Sequence, residues 1–286
     1  MSVGQLCAWG EIRDRQTRCP TRWTRQIGRE GPGCKVAMTR EFSVEELWDA
    51  PESGKCLSRS DRVSALPESA RRYLEHAVAP GTPLAAAVRL QMHGEIKLRR
   101  WFPFEAEQVI RRDRGMIWSA TVRMCGIPVR GSDRFLDGEG SMRWRLLGIV
   151  PLVMASGPDI TRSAVGRLAA ESVWLPPILL GDGVTWKAPG LSTVEARLAL
   201  QGHTVALTLT VSDDGRLQSV ALKRWGNPGD GEFRLRDFGG TVEDEGTFGG
   251  YTIPTRLRVG WGFEAGRFGS DGEFFRVTVD EATYRE

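Results

Sequence analysis

The chain has 286 residues, 41% of them hydrophobic, with 39 Lys and Arg against 36 Asp and Glu. That length can bury a sizeable core in one large β domain or two small ones. The formal charge of +3 is concentrated at the start, because residues 1–37 hold seven basic and three acidic side chains and leave 32 basic against 33 acidic elsewhere; the body therefore lacks the positive field that a nucleic-acid partner requires.

Residues 1–62 are rich in Arg, Thr, Gly, Pro and Ser without sustained periodicity and read as a largely disordered extension with one helical turn at Val44–Trp48. Four of the five cysteines, Cys7, Cys19, Cys34 and Cys56, lie in this extension at spacings that fit neither a zinc site nor a CxxC motif. Free thiols and a cytoplasmic, reducing location are the expectation. The opening MSVGQLCAWGEIRDR has no apolar run of signal-peptide length. The longest apolar run, Leu146–Ala155, is broken by Gly148 and Pro151 and is too short to span a bilayer.

Residues 63–286 read as a single β-rich domain. A helix is expected from Pro67 to Ala77, with Ser64 as a cap and Ala70, Tyr73, Leu74 and Ala77 on one face. From Val88 the period changes to two. Val88, Leu90, Met92, Ile96 and Leu98 alternate with Arg89, Gln91, His93, Glu95 and Lys97. Phe102–Ile110, Met116–Met124, Ile127–Asp137 and Ser141–Leu147 continue the pattern, so five strands form an antiparallel meander.

The alternation then stops. Residues 148–181 read as a helical insert laid on the sheet's concave face, in which Ile160, Ala164 and Leu168 line one side of a helix and Pro176-Pro177 ends it. Two apolar clusters flank it, Leu146–Met154 before and Val173–Leu180 after. Such surface must cover the sheet, meet a membrane or partner, or line a pocket. Strands resume at Val184–Lys187, Thr193–Leu200, Thr204–Val211, Leu217–Arg224, Phe233–Asp237, Thr252–Phe263 and Phe274–Tyr284. A dozen strands and two or three helices imply a mainly β (α+β) fold built on a single curved antiparallel sheet.

The segments RYLEHAVAPG, FPFEAEQ, IWSATVRM, DGEGSMRWRLLG, LAAESVWLPPILL and GGYTIPTRLRVGW, between Arg72 and Tyr284, resemble a family of bacterial proteins of unknown function. The order of helix, meander, helical insert and second meander is also similar to lipoprotein carriers of the LolA and LppX type. That resemblance implies a half-barrel whose concave face, lidded by helices, holds acyl chains. It transfers no catalytic residue.

The candidate chemistry is sparse. His93 falls on the polar phase of its strand, and Glu105 with Glu107 reads as a solvated stripe. Gly138-Glu139-Gly140, Gly181-Asp182-Gly183 and Gly239-Gly240 lack the setting of a phosphate loop and read as turns. Glu171 lies four residues after Arg167, in helical pairing distance; facing the sheet, it would need Arg123, Arg130, Arg143 or a ligand as partner. Asp133 is a weaker candidate of the same kind.

These readings favour a binding protein for a small hydrophobic ligand, an acyl chain or lipid, lined by Trp118, Met124, Trp144, Leu168, Glu171, Trp174 and Ile178, with no metal or cofactor implied. The alternatives are an enzyme using Glu171 as a buried acid or base, and a scaffold with a filled core.

Overall fold

A computed structural model describes residues 42–51, 63–229 and 231–286. Most of the expected extension, 1–62, thus lies outside the described residues, including Cys7, Cys19, Cys34 and Cys56. The part that is described, 42–51, is folded. Ser43 caps helix α1 (Val44–Asp49) in a reciprocal box with Glu46, and Val44 and Leu47 pack on Val109 and Ile117. The buried guanidinium of Arg111 holds the segment's end through the carbonyls of Ala50 and Pro51.

Helix α2 spans Glu68–Ala77 with the expected apolar face, but Pro67 occupies the N-cap and no side chain caps it, so Ser64 is not the cap. Beyond it, thirteen strands among the described residues form one antiparallel sheet. The first meander is β1 (Ala87–Lys97), β2 (Trp101–Arg111), β3 (Gly115–Met124), β4 (Ile127–Leu136), β5 (Glu139–Leu146) and β6 (Val150–Ser156). The second is β7 (Val184–Lys187), β8 (Thr193–Leu200), β9 (His203–Val211), β10 (Leu217–Gly226), β11 (Arg234–Phe248), β12 (Tyr251–Trp261) and β13 (Glu273–Arg285). Pairing of β1 with β13 joins them, which leaves β6 and β7 as the two free edges.

The helix α3 (Pro158–Glu171) connects those edges across the inside of the curve. It touches β4, β5 and β6 on one side and β8, β9 and β10 on the other. Gly157, at φ 100° where a side chain would be strained, starts it without any side-chain cap, so neither Ser156 nor Asp159 caps it. The helix ends at Glu171, before the two prolines, and 3₁₀ turns at Ser172–Trp174 and Pro176–Leu180 follow. Ala164, Val165, Leu168 and Ala169 are buried, as is the whole run from Val173 to Leu180. At about 1.5–3 kcal/mol per large aliphatic side chain, that far-side cluster suffices to seat the insert.

Two further sequence expectations need correction. Residues 150–156 are an edge strand, not part of the helical insert; Pro151 is tolerated because an edge strand can lack a ladder donor. Only Val153 of that run is buried, while Leu147, Ile149, Val150 and Met154 face outward. Gly239-Gly240 is no turn but the middle of β11, where a Cβ would lie 2.3 Å from the Phe263 ring and 2.8 Å from the Arg258 carbonyl oxygen. Among the described residues, no helix is long and apolar enough to cross a membrane.

Candidate functional site

Strand periodicity places three polar side chains where apolar ones belong. Gln108 follows Phe104 and Ala106 on the inward phase of β2, Asp133 shares the phase of Val129 and Phe135 on β4, and Arg224 follows Val220 and Leu222 on β10. All three are buried. Burial of such groups without partners costs several kcal/mol, so their partners define the site.

The network centres on Arg167 of α3. Its Nη1 donates to Asp133 Oδ2 at 2.9 Å and its Nε to Glu171 Oε1 at 2.6 Å. Trp144 Nε1 donates to Asp133 Oδ1 at 3.1 Å, and Gln108 Nε2 to Glu171 Oε2 at 2.6 Å. Every oxygen of both carboxylates is therefore engaged. The Arg167 guanidinium also lies 4.8 Å from the Trp118 ring centroid. Glu171 does face the sheet, but Gln108 and Arg167 hold it, not Arg123, Arg130 or Arg143. Arg123 pairs instead with Glu105.

Arg224 differs. It is only 7% exposed, donates to the carbonyl and hydroxyl of Ser163 on α3, and stacks over Phe238 and Trp261. Among the described residues no carboxylate forms an ion pair with it. Burial, with Arg167 nearby, pushes this guanidinium down to about 10, although Glu171 and Asp133 pull it partly back up.

Next to these groups a cavity of about 100 Å³ lies between α3 and the concave face. Met116, Trp118, Val220, Leu257, Phe274 and Phe275 make its apolar wall, and Asp133, Arg167, Glu171 and Arg224 its polar wall. Two buried polar atoms here have no partner, the Trp118 Nε1 donor and the Gln108 Oε1 acceptor. Of the residues singled out from sequence, Trp118, Glu171 and Trp174 line the cavity. Met124, Trp144, Leu168 and Ile178 belong to the surrounding core. Arg224 and Gln108 were missed, although a polar residue on an apolar phase was the signal for both.

Burial pushes the Asp133 carboxyl above its ordinary range despite Arg167 and Trp144, which pull it down. The folded state thus binds this proton more tightly than the unfolded chain. Its contribution to stability is present below the unfolded value and is lost as pH rises through the folded one. Asp133→Asn is expected to remove that downward slope, and urea denaturation at a series of acidic pH values checks it. An unchanged slope would assign it to another group. His93 pairs with Asp280 in an exposed position, and Glu107 pairs with Arg89.

Comparison with known proteins gives a family and distant similarity to solved structures. No curated protein matches the chain in sequence. A LolA superfamily protein from Nitrosomonas europaea aligns over 76% of this chain and 92% of its own, with 10% identity and a TM-score of 0.41. An outer membrane lipoprotein-sorting protein domain from Vibrio parahaemolyticus aligns over 70% and 85%, with 8% identity and a TM-score of 0.39. Neither transfers a function. The model of a family of unknown function, DUF6544, matches residues 56–270, and with that span the chain belongs to this family.

Proposed function

We propose that the protein binds a hydrophobic ligand between its curved sheet and α3, with an oxygen-bearing end of that ligand at Arg224. The observation that carries this reading is the cavity itself, apolar on one wall and polar on the other, and bordered by a buried guanidinium with no carboxylate in direct contact and by Trp118, whose indole N–H has no partner. A carboxylate or ester oxygen accepts from both kinds of donor. At about 100 Å³ the space is below the ~150 Å³ that admits benzene and the ~300 Å³ of small drug sites. It suits a short chain or the end of a longer one, and a full acyl chain requires α3 to move off the sheet.

Catalysis by Glu171 draws no comparable support, because both of its oxygens already accept hydrogen bonds. The binding reading is tested by native mass spectrometry and solvent extraction of the purified chain, with titration of an apolar fluorescent probe. A co-purifying amphiphile or saturable probe binding supports it; neither ligand nor probe binding overturns it.

Arg224→Met separates ligand recognition from folding. Arg224 has no carboxylate in direct contact and burial already disfavours its charge, so an apolar side chain of similar reach is expected to leave the melting temperature within a few degrees. Affinity for a medium-chain carboxylate should fall about tenfold or more, as for a lost charge-assisted hydrogen bond. Unchanged carboxylate affinity would remove Arg224 from the site.

A further inference from the structure

A group of exposed apolar side chains lies away from the cavity, at the corner formed by the β3–β4 and β5–β6 turns. Ile149 is 78% exposed, Leu147 55%, Val150 52% and Ile127 47%. The two turns are joined by the Leu147 amide, which donates to the Pro128 carbonyl at 2.9 Å. Scattered exposed aliphatics need no explanation, but a contiguous group does.

Turn chemistry singles out the same place. Four short hairpin turns in this sheet put a non-glycine residue at positive φ before a glycine: Cys125-Gly126, Asp137-Gly138, Leu147-Gly148 and Gln201-Gly202. Polar residues such as Asp suit that conformation. At the corner the positions are held by Cys125 and by Leu147, whose φ is 54°. A leucine in the left-handed region at a solvent-facing tip is unfavourable both for the backbone and for hydration.

Charge is the third independent feature. Residues 119–132 and 140–158 contain four arginines and no Asp or Glu. Arg130 and Arg145 stand directly opposite each other on β4 and β5, both exposed, and among the described residues neither has an acidic partner. Like charges in cross-strand register destabilise a sheet. The Arg130 stem runs beside the Leu147-Gly148 turn, its Cδ 3.8 Å from where a Gly148 Cβ would sit, which sets the cation at the border of the apolar tip.

We infer that this corner docks on an anionic lipid surface, with Leu147, Ile149 and Val150 entering the interface and Arg130 and Arg145 meeting lipid phosphates. An apolar tip bordered by uncompensated arginines complements the charge and layering of such a membrane. A second copy of the chain fits less well, since facing corners would oppose their arginines and Pro151 interrupts the donors along the β6 edge.

The test is co-sedimentation of the full chain with phosphatidylcholine vesicles containing or lacking phosphatidylglycerol. Binding is expected only with the anionic lipid and should weaken with salt. The basic residues 1–37 are identical in all variants, so differences between variants report on the corner. Arg130→Ser with Arg145→Ser should weaken binding on the order of thirty-fold, while the melting temperature holds or rises as the like-charge pair disappears. Ile149→Trp should show a blue-shifted emission increment over the wild-type chain on anionic vesicles alone. Three outcomes would overturn the inference: no vesicle binding, equal binding by the double variant, or a concentration-dependent dimer that Ile149→Asp abolishes.

Discussion

Arg167→Met is expected to lower the stability of the protein by about 3–5 kcal/mol near neutral pH, the cost of removing one partner from a buried ion cluster. The side chain is the common donor to Asp133 and Glu171, so its loss leaves two buried carboxylates with only Trp144 and Gln108 as donors. Burial alone pulls the Arg167 guanidinium down, but Glu171 and Asp133 together more than offset this and hold it raised. The deficit should shrink in acid, where the stranded carboxyls take up protons. Adding Asp133→Asn should return part of the loss, because one of the uncompensated charges is then gone, and a double-mutant cycle by urea denaturation measures the coupling. A loss under about 1 kcal/mol with no pH dependence would mean that apolar packing alone seats α3.

The contrast between Arg167 and Arg224 carries the functional argument. Both are buried arginines beside one cavity. The first is hydrogen-bonded to both carboxylates and contributes to holding the helix, whereas the second feels Glu171 and Asp133 only at longer range, outweighed by burial, and makes its polar contacts to Ser163. A protein that keeps a buried cation with no carboxylate in direct contact accepts a stability cost at that position, a pattern associated with binding sites.

Period two in the sequence made β1 to β5 legible, because Val88–Ile96 or Met116–Met124 can alternate cleanly only with one face buried. It also located the strands after the insert. β6 was hidden because Val150–Ser156 is apolar on both phases and contains a proline, so neither a strand nor a helix period stands out. β11 was hidden by Gly239 and Gly240 and by the acidic run Glu243–Glu245, whose placement follows from neighbours distant in sequence such as Phe263. In the site, Glu171 and Trp174 are visible as a three-residue spacing at the end of the insert's helix, although the helix stops at Glu171 and Trp174 falls in the 3₁₀ turn that follows. Gln108 and Arg224 come from strands well separated in the sheet order and meet α3 only once the sheet has curved, which local spacing does not encode.

Trp174→Ala is expected to cost about 3–5 kcal/mol, as for other buried tryptophans, and to enlarge the cavity that Trp174 lines. The residue joins the insert to the second meander: its Nε1 donates to the Pro254 carbonyl at 3.0 Å, and its own carbonyl accepts from the Tyr284 hydroxyl at 2.9 Å. Trp174→Phe keeps most of the ring and loses one hydrogen bond, so its cost should stay near 1 kcal/mol. The two variants therefore separate packing from bonding. Because the added void lies against apolar walls, a benzene-sized ligand should bind the alanine variant more tightly than wild type. At a hundred times its dissociation constant it should restore about 2.7 kcal/mol. Thermal denaturation with and without that ligand reads both effects. Restoration in Trp174→Ala but not in a Leu47→Ala control, which opens the α1 contact on the other side of the sheet, would place the binding volume beneath the insert. Equal restoration in both would mean that the ligand fills any cavity and that the space between helix and sheet has no special claim to a natural one.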